Sequence, residues 1–452
     1  MVFTRDLRVA DNPALSAAIS SSSAIVPLFV FDDDLLASGF AGHQRLRFLL
    51  ESLVELDASL RARGGALVIR RGHWPQTVVE VALAANAGVI HLACDVSGYA
   101  SRRLARLRAL AAGSRMTVVT HPGVTVVPPG ELHPASRQAY QVYTPYYRRW
   151  LAAPRRPILP SPPRVKLPDG PDAIDTGRVP GMRELTNADH APSWLPGGEQ
   201  AGLRQLDWWS RRCLENYDGS RDDLTADQTS RLSPYLHLGC LSPLAVEADV
   251  RASPGADAFV RQLAWRDFFC QFLAAYPRTA ADDFRQRKQD WADDQDGLTA
   301  WQSGQTGYPV VDAGMRQLAA EGFMHGRARM ITASFLTKDL HLDWRLGAAH
   351  FLRNLVDGDI ACNQLNWQWV AGTGTDTRPG RVLNPVTQSR RYDALGGYIR
   401  RWVPELAHLP SAEIHEPSTA DRRAAGYPQP IVDHREAVAA NRARPRRTRR
   451  PR

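Results

Sequence analysis

The first 127 residues alternate short apolar runs with longer amphipathic stretches. Four runs rich in aliphatic and β-branched residues predict buried strands, at 24–31, 66–70, 88–93 and 116–120. Between them, apolar residues recur at helical spacing and predict helices at 43–63, 74–86 and 99–112. Strands and helices that alternate in this way form a parallel sheet covered on both faces, so we predict a doubly wound α/β domain over 1–127.

The pattern changes after residue 127. Residues 128–200 are rich in proline and glycine and predict a linker between domains. Helical periodicity dominates beyond it, so we predict an all-helical domain over 201–435. The basic residues 436–452 predict a disordered tail.

Charge changes this picture only locally. The 452-residue chain carries a net charge of +9, but seven arginines lie in 442–452, and without those seven the balance falls from +9 to +2. A nucleic-acid site on the folded body must therefore be a local basic patch. The tail either adds non-specific affinity for phosphate or is a solvated end without a role.

Composition argues against three classes of protein. No apolar run approaches the roughly 18 residues of a membrane span, and charges at Arg5, Asp6 and Arg8 interrupt the apolar core that a signal peptide needs. The five cysteines are dispersed without a CxxC pair. That spacing indicates reduced thiols in a cytoplasmic protein rather than a disulfide framework or a metal site.

Two blocks carry most of the candidate chemistry. The stretch 357–385 reads DGDIACNQLNWQWVAGTGTDTRPGRVLNP and places Trp367 and Trp369 one residue apart, after three amides. An indole is costly to bury unless its N–H finds a partner, so this pairing indicates a built site. The block 216–243 has a run of hydroxyl residues before a predicted helix, which is typical either of an anion site or of a plain helix cap.

Both blocks resemble the DNA photolyase/cryptochrome family, through WQW, GTGTD and NP in the first and TSRLSPYLH in the second. The resemblance covers nearly the whole chain and is greatest for the bacterial class I photolyases that repair cyclobutane pyrimidine dimers. It implies an N-terminal antenna domain, a long linker and a helical domain that binds FAD. Only Met1 and Val2 precede the segment that follows the family's first strand, so that strand either is short or begins upstream.

By this resemblance, two groups of residues bind FAD. The first holds the phosphates and the ribityl chain, and the second holds the other end of the cofactor. Asn363 matches the position that faces the flavin N5, where a neutral amide accepts a hydrogen bond and favours the reduced flavin. The residues concerned are Tyr217, Thr229, Ser230, Arg231, Leu232 and Ser233 in the first group, and Asp357, Gly358, Asp359 and Asn363 in the second.

Three tryptophans match the electron path of the family. Trp367 matches the residue next to the flavin, Trp344 the middle one and Trp291 the one at the surface. Indole is oxidisable, so such a chain can carry electrons inward to the flavin. The alternative is that all three are ordinary core aromatics.

The resemblance implies light-driven repair, in which photoexcited reduced FAD passes an electron to a pyrimidine dimer that has been flipped out of DNA. The matching pocket has two tryptophan walls, a methionine, two arginines for backbone phosphate and an amide for the dimer. In that order these residues are Trp265 and Trp369, Met330, Arg266 and Arg327, and Gln262. The competing function is a blue-light receptor of the cryptochrome type, which binds FAD without repairing DNA.

Two positions depart from the pattern. Gln262 stands where the best-known dimer-repairing members have Glu, and Gly326 stands where the family has Asn or His. The enzymes that repair (6-4) photoproducts use two histidines, and the matching positions here are Gly326 and Met330. The balance therefore favours cyclobutane repair with a modified pocket.

The antenna domain of the family carries a light-harvesting pigment. Folate-type members have an Asn-Glu pair where this chain has Tyr99 and Ala100. The resemblance therefore favours the deazaflavin 8-HDF, with Arg45 and Asp95 as candidate contacts, while an empty site is the alternative. We expect the protein to act as a monomer on damaged DNA, associated with the nucleoid and without membrane contact.

Overall fold

The structure is a computed structural model that describes residues 1–40, 42–169, 174–186, 195–285 and 290–443. These residues form two compact units. Unit 1 comprises Met1–Glu215 and Ser230–Pro277, and unit 2 comprises Asn216–Thr229 and the chain from Arg278 onward. The two units are defined by packing, whereas the predicted boundaries at 127 and 200 were drawn from composition and periodicity, so these two boundaries stay predictions.

Among the described residues of unit 1, four short strands form two parallel pairs. They are β1 (Leu28–Asp32), β2 (Val68–Gly72), β3 (Val89–Ala93) and β4 (Thr117–His121). β1 pairs in parallel with β2, and β3 pairs in parallel with β4. Val2 forms parallel bridges to both Leu28 and Leu92, so the start of the chain lies between the two pairs. Each strand overlaps its predicted run.

Helices make up most of the remaining structure. Short 3-10 turns lie at Pro277–Ala280 and Pro404–Leu406, and a π-helical turn lies at Phe335–Asp339. The α-helices, in chain order, are α1 (Pro13–Ser21), α2 (Asp33–Ala37), α3 (His43–Arg61), α4 (Trp74–Ala84), α5 (Gly98–Gly113), α6 (Tyr143–Ala152), α7 (Met182–Leu185), α8 (Glu199–Arg212), α9 (Tyr217–Ser220), α10 (Ser233–Leu238), α11 (Pro243–Val250), α12 (Ala256–Ala275), α13 (Gln295–Ser303), α14 (Pro309–Glu321), α15 (Gly326–Ser334), α16 (Trp344–Asn354), α17 (Ile360–Ala371), α18 (Pro385–Tyr392), α19 (Gly397–Trp402), α20 (Thr419–Ala425) and α21 (His434–Ala443).

The helices predicted at 43–63, 74–86 and 99–112 correspond to α3, α4 and α5. The described part of the region 128–200, predicted as a linker, contains the helices α6 and α7 and the first residues of α8. α6 buries Tyr146 and Trp150 completely, so this part of the region contributes to the core of unit 1.

Unit 2 is built around one aromatic and aliphatic core that includes Trp301, Trp344 and Trp367. Helix α16 packs against α17 within it. The close approach depends on Gly347 of α16, because a Cβ at that position would lie 2.2 Å from the Cη2 atom of Trp367. Any larger residue would displace the indole or separate the two helices.

The C-terminal helix α21 corrects one prediction. The predicted disordered tail began at 436, but α21 continues to Ala443 and is attached to the π-helical turn Phe335–Asp339. His434 bonds the buried carboxylate of Asp339, and the amide of Asn441 donates to the carbonyl oxygen of Lys338 at 3.2 Å. The prediction is therefore wrong for 436–443, because these contacts order the helix. The rest of the tail, from 444, lies outside the described residues.

Within the described ranges, no helix combines the length and the apolar character that crossing a bilayer requires.

Candidate functional site

Helix α17 carries both tryptophans of the WQW motif. Successive residues of an α-helix are rotated by about 100°, so side chains two positions apart project in nearly opposite directions. Trp367 is 2% exposed in the core of unit 2, and Trp369 is half-buried. One helix therefore presents one indole to the core and another towards the surface.

The three tryptophans of the predicted electron path meet in one cluster of unit 2. Trp367 contacts the ring of Phe351 edge-on at 5.0 Å between centroids. Trp344 is fully buried, and half-buried Trp291 packs against the same cluster, 5.0 Å from the ring of His341. Trp367 and Trp344 are buried, whereas Trp291 is partly exposed. Burial also fits ordinary core packing, so electron transfer stays a prediction.

A carboxylate accompanies the middle tryptophan. The Nε1–H of Trp344 donates to Oδ1 of Asp283 at 2.8 Å, and Arg345 donates to the same oxygen at 2.9 Å. The guanidinium of Arg345 also lies 4.7 Å from the centre of the Trp344 ring. Asp283 therefore offsets that positive charge and lowers the cost of oxidising the indole.

Two amides of α17 hold the segment that bears Asp283, and sequence reasoning missed this role. Gln368 is fully buried, and its amide donates to the carbonyl oxygens of Thr279 at 2.7 Å and Asp282 at 3.0 Å. One turn earlier, Gln364 donates to the carbonyl oxygen of Ala280 at 2.7 Å. The signal was available, since amides four residues apart share one helix face.

The pKa of Asp283 predicts a pH effect. Burial raises this pKa, although the N–H of Trp344 and the charge of Arg345 oppose the shift. As the pH falls through the raised pKa, the carboxylate is neutralised and no longer stabilises an oxidised Trp344. Light-driven reduction of the flavin should therefore slow towards acid pH, beginning above the usual Asp pKa of about 3.9. Flash photolysis across a pH series measures the rate.

Two variants check the assignment. Asp283→Asn should be slow at every pH and should lose the acid-side dependence. Asp343→Asn is the matched control, because Asp343 pairs with the same Arg345 but does not bond the indole of Trp344. If Asp283→Asn retains the wild-type pH profile, Asp283 is not the titrating group.

Asn363 has only one orientation that satisfies its amide. Its Nδ2 donates to the carbonyl oxygen of Ala348 at 3.1 Å and to Oε1 of Gln364 at 2.9 Å. The Ala348 carbonyl can only accept, so the nitrogen must face it. Both N–H groups are thereby used, and the oxygen Oδ1 is the part of the side chain that can accept a further hydrogen bond.

The other predicted flavin residues of unit 2 occupy defined positions. Asp357 pairs with Arg329 at 2.9 Å, and Asp359 caps α17 by accepting from the backbone N–H of Cys362 at 2.9 Å. Gly358, between them, is buried. Tyr217 is buried at the start of α9, and burial raises its pKa to about 12, so its hydroxyl remains a hydrogen-bond donor at neutral pH.

The run 229–233 does not form a plain helix cap. Helix α10 begins at Ser233, and its capping position, Leu232, makes no side-chain capping bond. The backbone of Arg231 has a positive φ of 53°, which costs a non-glycine residue conformational energy and is enriched at functional sites. The hydroxyl oxygen of Thr229 is buried without a hydrogen-bond partner among the described residues, and Ser230 bonds the N–H of Leu232 at 3.4 Å.

The predicted lesion residues of unit 1 lie on α12. Gln262 is exposed, and Trp265, one turn later on the same face, is half-buried. Arg266 is half-buried, and its guanidinium donates to the carbonyl oxygens of Val124 and Leu236. These two bonds already engage Arg266, so its predicted contact with phosphate stays a prediction.

The predicted lesion residues of unit 2 lie on α15 and α17. Arg327 binds Asp222 through two bonds of 3.2 and 2.6 Å and stacks 4.3 Å above the ring of Tyr392. Met330 is half-buried, with its sulfur 3.9 Å from a guanidinium nitrogen of Arg327. Trp369 is the half-buried indole of α17.

The histidine nearest to Gly326 and Met330 is His325, which caps α15 and occupies neither of those two positions. Gly326 is exposed, with open space where a side chain would be. His325 is buried, and its Nδ1 accepts from the backbone N–H of Arg327 at 3.2 Å. Burial lowers its pKa to about 4, so it is neutral at physiological pH.

The comparisons with known proteins cover both ends of the chain. Residues 1–166 match the family model described as DNA photolyase, and residues 259–447 match the FAD binding domain of DNA photolyase. The deoxyribodipyrimidine photo-lyase of Streptomyces griseus is 49% identical over 97% of both chains. The chain belongs to the DNA photolyase family. The predicted order of an N-terminal photolyase domain and a C-terminal FAD-binding domain is thereby confirmed.

The chain is similar to solved structures of a cryptochrome and of a photolyase. The Synechocystis cryptochrome has a TM-score of 0.91 and 31% identity, with 98% of this chain and 97% of that one covered. The archaeal photolyase of Sulfolobus tokodaii, solved with two FAD molecules, has a TM-score of 0.86 and 29% identity, with 98% of each chain covered.

The residues present fit FAD. The photolyase FAD-binding domain requires donors for phosphate and hydroxyl groups and an acceptor for a ring N–H. Thr229 offers a buried hydroxyl without a partner among the described residues, and Asn363 offers an oriented acceptor oxygen. No three His, Cys, Asp or Glu side chains in the described ranges converge as metal ligands do.

The candidate antenna residues lie in unit 1. Arg45 is buried, donates to the carbonyl oxygen of Phe40 and stacks 4.3 Å above that ring. Asp95 pairs with Arg5 at 3.4 Å and accepts from the backbone N–H of Ser97 at 2.8 Å. The hydroxyl of Tyr99 bonds the carboxylate of Asp32. The structure therefore gives both predicted residues partners within the protein.

Proposed function

We propose that this photolyase repairs cyclobutane pyrimidine dimers in DNA under blue light. Helix α17 carries the proposal: it holds Asn363, the buried Trp367 and the half-buried Trp369 within seven residues. The relative from Streptomyces griseus, named a deoxyribodipyrimidine photo-lyase, supports the same function at 49% identity. A light sensor without repair activity would have no need of Trp369 and Trp265 as stacking surfaces.

Asn363 and the three tryptophans act on the oxidation state of the flavin. When bound, FAD supplies the light absorption and the transferred electron. With FAD bound, Oδ1 of Asn363 would accept a hydrogen bond from a flavin N–H, and this bond would favour the reduced cofactor. Trp344 and Trp291 extend the oxidisable indoles from Trp367 towards the surface, and Asp283 supports the middle one.

The lesion is bound by stacking and hydrogen bonding. A flipped dimer presents flat apolar faces and polar edges, and aromatic stacking contributes about 1–3 kcal/mol per base. Trp265 and Trp369 each supply a stacking face, Met330 supplies an apolar contact, and Gln262 supplies an N–H donor for a carbonyl of the dimer. Arg266 and Arg327 contact the flanking phosphates. To do so, Arg327 gives up one of its two hydrogen bonds to Asp222 and donates to a phosphate oxygen instead.

The role of Gln262, which stands where related dimer-repairing enzymes have Glu, can be tested directly. Gln262→Ala should lower the repair yield per absorbed photon, because a carbonyl of the lesion loses a partner worth about 1–3 kcal/mol. Gln262→Glu should keep or raise the yield, because a protonated carboxyl donates the same bond. The yield is measured by dimer loss from an oligonucleotide at a known photon dose. Unchanged yields in both variants would make Gln262 a bystander.

The lesion preference tests the proposed function. The FAD-loaded protein is illuminated with one oligonucleotide that carries a cyclobutane dimer and one that carries a (6-4) photoproduct. We expect repair of the first only, because Gly326 and Met330 lack the acid groups of the second reaction. Repair of the (6-4) photoproduct alone, or of neither, would overturn the assignment.

We also infer a second chromophore, 8-HDF, bound near Arg45 and Asp95. The Sulfolobus tokodaii photolyase with two FAD molecules supports a second pigment, and FAD is the competing identity. The absorption spectrum of pigment released from the purified protein separates the two. We further propose that the sheet of the N-terminal domain is doubly wound and that 128–200 serves as a linker. We also propose that the protein acts as a monomer at the nucleoid.

A further inference from the structure

Helix α6 carries an aromatic stripe within the region predicted as a linker. Tyr143, Tyr146, Tyr147 and Trp150 recur at the spacing that places side chains on one helix face. Tyr146 and Trp150 are buried in unit 1, but Tyr143 and Tyr147 are only half-buried. Core packing alone therefore does not account for Tyr143 and Tyr147.

The half-buried Tyr143 covers one face of Trp265, the predicted lesion tryptophan. The two rings are nearly parallel, with 4° between their planes and 3.7 Å between their centroids. Most aromatic pairs separate their centroids by about 4.5–7 Å, so these rings overlap more fully than usual. The packing of α6 on α12, rather than the preference of the rings, sets this geometry.

Further contacts hold the pair in place, and Phe269 also lies 5.5 Å from the ring of Trp265. The hydroxyl of Tyr143 donates to the carbonyl oxygen of Arg261 at 2.9 Å, which attaches it to the turn of α12 before Trp265. Phe268 meets both rings edge-on, at 5.5 Å from Trp265 and 5.9 Å from Tyr143. Tyr147 stacks on the outer face of Tyr143 at 5.5 Å. The plane of Trp265 is thus held on one face and along one edge.

This arrangement limits how a base can meet Trp265. Tyr143 already fills one face at van der Waals distance, so a base cannot stack on that face. A ring that is held in its binding orientation loses little rotamer freedom when the base arrives, and this loss is a main cost of binding. Gln262 lies one turn before Trp265 on the same helix face, so the held plane also sets the distance from the stacked base to that amide.

We propose that Tyr143 is a positioning residue of the lesion pocket, which holds Trp265 in the plane that selects a flipped pyrimidine dimer over undamaged DNA. The inference rests on the proposed function, because it assigns the lesion to Trp265. It adds to the lesion pocket a residue that lies outside 201–435, the part of the chain predicted as the helical domain. Tyr143 acts through Trp265 and does not itself touch the dimer.

The test is the affinity of the FAD-loaded protein, in the dark, for an oligonucleotide with one dimer and for the same oligonucleotide undamaged. Tyr143→Leu should lower the ratio of the two affinities by about fivefold, the low end of what stacking of one base contributes. Tyr143→Phe keeps the ring and should keep the ratio. Trp208→Leu, the control in the same unit, removes an exposed aromatic ring of α8 and should also keep the ratio.

A double-mutant cycle separates positioning from general stability. In a Trp265→Ala background, Tyr143→Leu should cause no further loss of discrimination, since the ring that it positions is gone. An equal loss in both backgrounds would overturn the inference and assign Tyr143 to folding. Thermal unfolding is measured for every variant, and Tyr143→Met replaces Tyr143→Leu if the latter does not fold.

The outcomes distinguish this inference from the function beneath it. If the wild type does not discriminate between the two oligonucleotides, the proposed function fails first. If the wild type discriminates and Trp265→Ala abolishes this preference, but Tyr143→Leu behaves like the wild type, the function stands and the inference is wrong.

Discussion

Replacing Trp367 with Phe is expected to slow light-driven reduction of the flavin roughly a thousandfold, because an added barrier of about 4 kcal/mol has that effect on a rate. Phenylalanine fills much of the same space between Gly347 and Phe351 but is far harder to oxidise. The flavin content should change little, because phenylalanine still fills most of the space that Trp367 occupies in the core of unit 2. Illumination with an external electron donor, followed by the flavin absorbance, measures the rate.

Trp301→Phe provides the matched control. Trp301 is fully buried in the same cluster and lies 6.1 Å from the ring of Trp367, but it is not part of the predicted path. Its Nε1–H donates to the carbonyl oxygen of Thr332 at 3.0 Å, so the control also loses one hydrogen bond. Normal photoreduction in Trp367→Phe, or equal slowing in both variants, would remove Trp367 from the path.

Replacing Trp265 with Ala should weaken binding of dimer-containing DNA by about 1–3 kcal/mol, which corresponds to a factor of roughly 5–150. The loss follows from the missing stacking surface. Affinity for undamaged DNA should change little, because phosphate contacts dominate it. Fluorescence anisotropy with the two oligonucleotides in the dark measures both affinities.

Two comparisons complete this experiment. Trp208→Ala removes a tryptophan of unit 1 that is 43% exposed on α8 and should affect neither affinity. Deleting 442–452 removes seven arginines and should weaken binding of both DNAs and flatten its salt dependence. Equal losses on both DNAs from Trp265→Ala would exclude Trp265 from the lesion pocket.

Periodicity predicted the regular elements because each depends on residues close in sequence. The strand at 28–32 is a short apolar run, the strand at 68–72 begins with the apolar pair Val68 and Ile69, and α3 repeats its apolar positions over five turns. Helix α6 was missed because the proline-rich residues around it dominate the composition of 128–200. Its own aromatic spacing from Tyr143 to Trp150 contained the helical signal.

The partners of the site residues could not be predicted in the same way. Trp344 and Asp283 form a hydrogen bond although they lie 61 residues apart in the sequence. The residues around each one do not predict this partner. Arg266 reads as a free cation in the sequence, yet backbone carbonyls from two distant segments engage it. The resemblance located Trp367 and Asn363, but only the structure gave the orientation of the Asn363 amide and the contact between Tyr143 and Trp265.

Single-turnover repair tests the central claim most directly. The protein, with its flavin reduced chemically in the dark, is mixed with an oligonucleotide that carries one cyclobutane dimer and is exposed to one blue flash. We predict that the ultraviolet absorbance of two intact pyrimidines returns while the flavin remains reduced, because the electron comes back after the ring splits. Unchanged DNA absorbance, with a flavin that still responds to light, would contradict the claim and favour the light receptor.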